Sequence, residues 1–220
     1  MILLMELKPT IKMRLHIDSG THSFTDTSER ISKIESNLSS PDVVFTEDST
    51  ADYTFIDVFR VLPIAPLLLT AMLVYVIGLR ILQKLRDSDS EIVEHLETEY
   101  DADVVPTDKS KIDLITGLSK LHVTANWGLL IVIYLTYLLF DLPLIVLIYL
   151  LAISAMALFL TFLSGVHQTR NEHIGAEISD HVDDYQEACL VTGGDHHEGV
   201  GNLLKDYQGL DVLNPVSESE

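Results

Sequence analysis

The chain has a single cysteine, Cys189, in 220 residues. No intramolecular disulfide can form, so a small secreted scaffold held by disulfides is excluded. Positive charge is scarce: 14 Lys and Arg stand against 33 Asp and Glu, a formal net charge of −19. With no basic patch to neutralise phosphates, a nucleic-acid backbone is disfavoured as the partner. The sequence also lacks a compact metal signature such as a His-Glu-x-x-His helix.

What is present is a contrast. Hydrophobic residues make up 47% of the chain and the mean hydropathy is +0.26, values that an acidic soluble protein does not normally combine. Strongly apolar and strongly acidic segments must therefore coexist, and a chain that is mainly a disordered acidic tail is excluded. Asp and Glu are spread over every polar stretch while Lys is sparse. That distribution reads as the solvated acidic coat of a halophilic protein; recognition of a cation by the acidic surface as a whole is the alternative.

Three stretches carry the hydrophobicity. Val61–Leu82 has no charge before Arg80 and, at roughly 22 residues, is long enough to span ~30 Å of hydrocarbon. Trp127–Phe140 is shorter, and a buried or partly inserted helix is open for it. Leu142–Leu163 carries no charge. Asp141 and Pro143 separate the last two, which predicts a tight membrane hairpin rather than one long helix. Trp127 and Tyr137 suit an interface belt. Met1–Met5 is apolar, but Glu6 and Lys8 interrupt it, so no signal peptide is read.

The polar segments have a strand–loop–helix rhythm. Lys12–Ile17 alternates as a strand, a Gly/Ser/Thr-rich turn follows over Asp18–Ser28, and Ile31, Ile34 and Leu38 fall at helical spacing with Thr27 or Ser28 as cap. Asp42–Thr46 is a short buried strand. Ser90–Tyr100 then reads as a helix and Asp103–Pro106 as a strand. Ile174, Ile178 and Val182 stripe a further helix, and Ala188–Thr192 is a strand. A polar loop, Gly193–Gly199, is expected next, with a helix opening at Val200. The expectation is an α/β fold with a small, mainly parallel sheet interrupted by two or three membrane helices.

In an open parallel sheet the ligand site lies at the carboxyl ends of the strands. Those ends hold His22, Glu47, Asp108 and His196. Two imidazoles with carboxylates suit a divalent transition metal. A nearby Glu could take a proton from metal-bound water, and Arg170 could steady developing negative charge. The plainer alternatives are a polar turn at His196 and His197, a turn with an incidental His at His22, and a solvated strand end at Glu47. His16 is expected to pair within the sheet, His95, His122, His167, His173 and His181 to lie at the surface, and Cys189 to be an inert buried residue.

The ordered set of polar motifs resembles the TraB/PrgY family, related to the GumN and Tiki proteins. The chain reads Ser19-Gly20-Thr21-His22, then Pro41-Asp42-Val43-Val44-Phe45-Thr46-Glu47, then Asp108-Lys109, then Arg170-Asn171. It closes with Gly193-Gly194-Asp195-His196-His197-Glu198-Gly199-Val200 and Leu203-Leu204. In the first motif Gly20 and His22 stand one residue closer than in the usual Gly-Thr-x-His. The apolar helices are interleaved with the motifs rather than gathered after them. The resemblance implies a metal-dependent membrane hydrolase, peptidase-like, holding Mn, Co or Zn. It implies His22 and His196 as metal ligands, Glu47 as catalytic or ligating carboxylate, Arg170 and Asn171 as site residues, and Gly20, Asp108, Gly193 and Gly199 in support. A non-catalytic regulator that sequesters a peptide or signal is the alternative, as the pheromone-shutdown relatives suggest.

The expected organisation is an N-terminal half of the α/β domain over 1–60, an apolar helix over 61–86, a middle βα segment over 87–125, a hairpin over 126–164, and a C-terminal half with an acidic tail over 165–220. The expected location is a cell membrane, crossed more than once. The expected partners are lipids and a peptide substrate or signal peptide, with a homo-oligomer open. Three spans would put residues 1–60 and 166–220 on opposite sides and separate the motifs. The arrangement that keeps them together makes Val61–Leu82 an interfacial or re-entrant helix beside a spanning hairpin.

Overall fold

A computed structural model of the chain describes residues 12–20, 26–47, 59–83 and 88–215. The chain divides into two compact units. Met1–Ser49, Arg86–Asp108 and Gln168–Glu220 form one, and Thr50–Leu85 with Lys109–His167 the other.

The first unit is built on a parallel sheet of five strands: β1 (Met13–Gly20), β2 (Val43–Thr46), β3 (Asp103–Pro106), β4 (Glu187–Gly193) and β5 (Leu210–Val212). Their order is β3-β2-β4-β1-β5, and every pairing is parallel. Strand alternation sorts the side chains onto two faces. Met13, Leu15, Ile17, Val43, Phe45, Ala188 and Leu190 pack on one face with Ile174, Ile178, Val200 and Leu204. The last four come from α6 (Leu144–Asp180) and α7 (Gly194–Leu204). Val44, Cys189 and Val191 pack on the other face. There they meet Ile34 and Leu38, from α1 (Thr27–Asn37) and its C-cap, and Ile92 and Leu96, from α3 (Ser88–Tyr100). Because helices cover both faces, the strands read as near-continuous apolar runs rather than clean alternations.

Local chemistry sets the helix ends. Asp26, not Thr27 or Ser28, caps α1, its carboxylate accepting the Ser28 N–H at 3.0 Å. Thr27 instead donates its hydroxyl to Glu91 on α3. One ion-pair cluster ties this face together: Arg30 on α1 donates Nε and Nη2 to Asp18 on β1 and Nη1 to Asp89 on α3. His16 does not pair in the sheet by its ring. It is fully buried, and neither ring nitrogen has a hydrogen-bond partner among the described residues.

The second unit is helical. It holds α2 (Pro66–Gln83), α4 (Lys111–Thr116), α5 (Lys120–Phe140) and the apolar part of α6. Asp141 closes α5 in the left-handed region at φ 47°, and Pro143 accepts from Val146 and Leu147 as α6 begins. The break expected at Asp141 and Pro143 is therefore present. No break divides the apolar stretch from the helix that carries Ile174: α6 is a single helix of 37 residues. The isolated Gly165 costs a helix only ~1 kcal/mol and does not end it. Among the described residues, α5 and α6 are long and apolar enough to cross a membrane, and the Pro66–Tyr75 part of α2 is a shorter apolar segment.

Candidate functional site

Four strand ends and two helices bring the polar residues of the sheet unit together. Glu47 follows the last residue of β2. Thr107 continues the ladder by donating its N–H and its hydroxyl to Thr46 O, which carries Asp108 to the same end of the sheet. Gly193 ends β4, and Gly20 lies opposite it in the β1–β4 register. The strand that leads to His22 therefore ends beside the strand that leads to His196. His22 itself lies outside the described residues.

Arg170, on α6, joins the two carboxylates. Its Nε donates to both oxygens of Asp108, at 3.1 and 3.0 Å. Its Nη2 is shared between Asp108 Oδ2 and Glu47 Oε1. The second oxygen of Glu47 accepts the Thr192 hydroxyl at 2.9 Å and the Gly193 N–H at 2.8 Å. Burial would raise the Glu47 pKa, but the His196 hydrogen bond, the Arg170 charge and the Gly193 N–H outweigh it. The net effect holds the carboxyl well below its ordinary value of 4.5. Glu47 is thus a persistent anion and a weak proton acceptor near neutrality.

His196 is buried, in the first turn of α7. The loop expected over Gly193–Gly199 is instead helix from Gly194 onward. Gly193 occupies the N-cap, and Asp195 complements the positive end of the helix dipole. The polar-turn alternative for His196 is thereby replaced by a buried, oriented imidazole. Its Nδ1 lies 2.5 Å from Asn171 Oδ1. That oxygen only accepts, so Nδ1 carries a proton. Nε2 lies 3.4 Å from Glu47 Oε1. A proton or a divalent cation at Nε2 makes that contact attractive, whereas a bare lone pair facing a carboxylate repels it.

Gly199 has a steric reason for its place. A Cβ there would meet Asn171 Nδ2 at 1.9 Å and Cγ at 2.7 Å, so only glycine lets Asn171 lie against α7 while it holds His196. His197 is half-buried and bridges other groups: Nδ1 pairs with Ser19 Oγ at 3.0 Å and Nε2 with Asn214 O at 3.1 Å. It ties β1 to the segment after β5. No sequence pattern marks Thr192 as a partner of Glu47; its one signal is its position immediately before Gly193 at the strand end.

The structure thus brings together Glu47, Asp108, Arg170, Asn171, Gly193, His196 and Gly199. Among the described residues no group of three or more His, Cys, Asp or Glu is placed to hold a metal ion. No protein-family model, characterised protein or solved structure matches the chain.

Proposed function

We propose that the chain is a membrane-anchored, metal-dependent hydrolase with peptidase-like chemistry, as its resemblance to the TraB/PrgY family implies. One observation carries the reading. Glu47, Asp108, Arg170, Asn171 and His196 come from distant parts of the sequence and form one hydrogen-bonded cluster at the carboxyl ends of β2, β3 and β4. Mn, Co or Zn is the implied metal. The donor chemistry fits in kind: an imidazole whose second nitrogen is held by Asn171 Oδ1 matches the way ligating histidines are oriented, and Glu47 stays ionised. His196 and Glu47 supply two donors, and His22 is the third in this reading. A bound divalent ion would acidify water and polarise a carbonyl.

The chain's own groups have distinct tasks. Asn171 keeps the His196 proton on Nδ1 and so points Nε2 toward Glu47. Glu47, whose proton affinity is low, serves as ligand and charge rather than as general base. Arg170 balances Glu47 and Asp108 and would steady a developing oxyanion. Supporting residues Gly20 and Gly193 end adjacent strands. In this reading α5 and α6 anchor the protein in a cell membrane as a multi-pass protein, lipids are partners, and a peptide is the substrate. Homo-oligomerisation is compatible with it.

The second reading, a non-catalytic regulator that sequesters a peptide or signal, is favoured by one feature. Both Glu47 oxygens are met by donors of the chain itself, so the Glu47 charge is balanced without a metal.

Elemental analysis of purified protein separates the two readings. Stoichiometric Mn, Co or Zn that is lost in both His22→Ala and His196→Ala, together with metal-dependent peptide cleavage, supports the hydrolase. Wild-type protein that binds no metal and retains a peptide uncleaved overturns it in favour of the regulator.

A further inference from the structure

The first apolar stretch has an unusual beginning. The chain turns at Val61–Ala65, where Ile64 and Ala65 both donate to Val61 O, and α2 starts at Pro66. This turn is buried: Val61, Ala65 and Leu68 are at most 1% exposed and pack with Ile115, Phe159 and Phe162. Leu67 packs with Ala155, Leu158, Leu130 and Leu151 of the hairpin. A helix start leaves four backbone N–H groups without an intrahelical partner. Pro66 has none to satisfy. The Leu68 N–H is taken by Asn126 Oδ1 at 3.1 Å. Asn126 is 1% exposed, and its amide donates to His122 O. The Trp127 indole N–H takes Pro63 O at 2.9 Å.

Two adjacent residues of α5 therefore satisfy the start of α2 from the side. Asn126 lies six residues beyond Lys120, ~9 Å along the helix at 1.5 Å per residue. Backbone in such a place must be satisfied by protein, because hydrocarbon offers no partner. A soluble helical core would bury the apolar windows of α5 and α6, yet only 11% and 17% of them is buried. On α2, consecutive residues Leu73, Val74 and Tyr75 are exposed.

Chain parity supplies the rest. Val44 on β2 and Ile92 on α3 pack in the same core. The segment between them must leave and return on one side of any membrane, so it crosses an even number of times. It contains one apolar stretch, since 48–60 carries Asp48, Asp52, Asp57 and Arg60.

We infer that α2 is not a third span but a half-inserted helix. It enters and leaves on the side of the sheet unit, its start is closed by Asn126 and Trp127, and its exposed Leu73 and Val74 lie against lipid, while α5 and α6 cross as a pair. This rests on the membrane anchoring proposed above.

Thiol labelling of the full chain in intact cells tests it. Cys189 is fully buried, and burial pushes its thiol pKa well up, so the native chain is a silent background. Cysteines are introduced as Ser32→Cys before α2, Glu97→Cys after it, Asp206→Cys after the hairpin, and within a short Gly-Ser insertion following Asp141. With a membrane-impermeant maleimide, the first three label from one side and the insertion from the other. Ser32→Cys and Glu97→Cys on opposite sides overturns the half-inserted helix. All four on one side overturns the crossing hairpin. Carbonate extraction then separates the causes: release of the chain removes the membrane reading as well, and retention removes only this topology.

Discussion

Asn171 and Gly199 lie in such close contact that any side chain on residue 199 would overlap the Asn171 amide, with a Cβ 1.9 Å from Nδ2. The same amide oxygen holds His196 Nδ1. Orientation of the buried imidazole therefore depends on a glycine one turn further along α7.

Gly199→Ala is expected to push Asn171 off His196. Overpacking of this kind costs about 1–3 kcal/mol, and the change should show as a lower melting temperature. The more telling readout is the His196 ring signals by NMR, which should shift as the Asn171 bond is lost. Unchanged ring signals in Gly199→Ala would mean that Asn171 does not depend on this contact.

Acid should destabilise the sheet unit in two windows. His16 has its pKa lowered from 6.5, first by burial and then by Lys33 and His197, against the opposing Asp18 charge. Glu47 is held below 4.5. In both cases the unfolded chain binds more protons than the folded one just below these values, so stability rises with pH there. The contribution of each is complete above its unfolded value and falls away as pH drops below about 6.5 for His16 and about 4.5 for Glu47. Urea midpoints measured against pH should lose the upper slope in His16→Leu and part of the lower slope in Glu47→Gln. Identical profiles for wild type and both variants would contradict this account.

Removing Arg30 should be among the most damaging single changes in the sheet unit. Arg30 and Asp18 are 4% and 3% exposed, and Arg30→Met leaves Asp18 buried without its cation, a loss of about 3–5 kcal/mol. Arg30→Met with Asp18→Asn should recover part of it. Equilibrium unfolding of both variants checks the sign; a single mutant as stable as wild type would show that the pair contributes nothing.

In the helical unit, Asn126→Leu removes the acceptor for Leu68 N–H and leaves that donor buried, a cost of about 1–3 kcal/mol. Thermal unfolding in detergent should reveal it, while Thr124→Ala, on an exposed position that bonds only within its own turn, should have little effect. Equal effects of the two substitutions would argue against a specific cap.

The strands and helices of the polar segments were legible because strand and helix periods leave a local trace. Val43–Phe45 and Leu190–Val191 are short apolar runs, and Ile174, Ile178 and Val182 recur at helical spacing. Asp141 and Pro143 marked the hairpin turn for the same reason. The start of α7 was not legible. Glycines at 193 and 194 read as loop, whereas Gly193 serves as N-cap and His196 is buried by the sheet behind it. β5, at three residues, left too short a pattern; it is defined by pairing with Met13–Leu15.

Composition and periodicity alone thus determined a parallel α/β unit, acidic outside, interrupted by apolar helices, because hydrophobic spacing and charge are properties of the chain itself. Only the tertiary structure decided that Arg170 bridges Glu47 and Asp108, that Asn171 orients His196, and that Asn126 closes the start of α2. Each of these contacts joins residues at least 25 apart in sequence. No local pattern encodes them; strand order and helix packing bring the partners within hydrogen-bond reach.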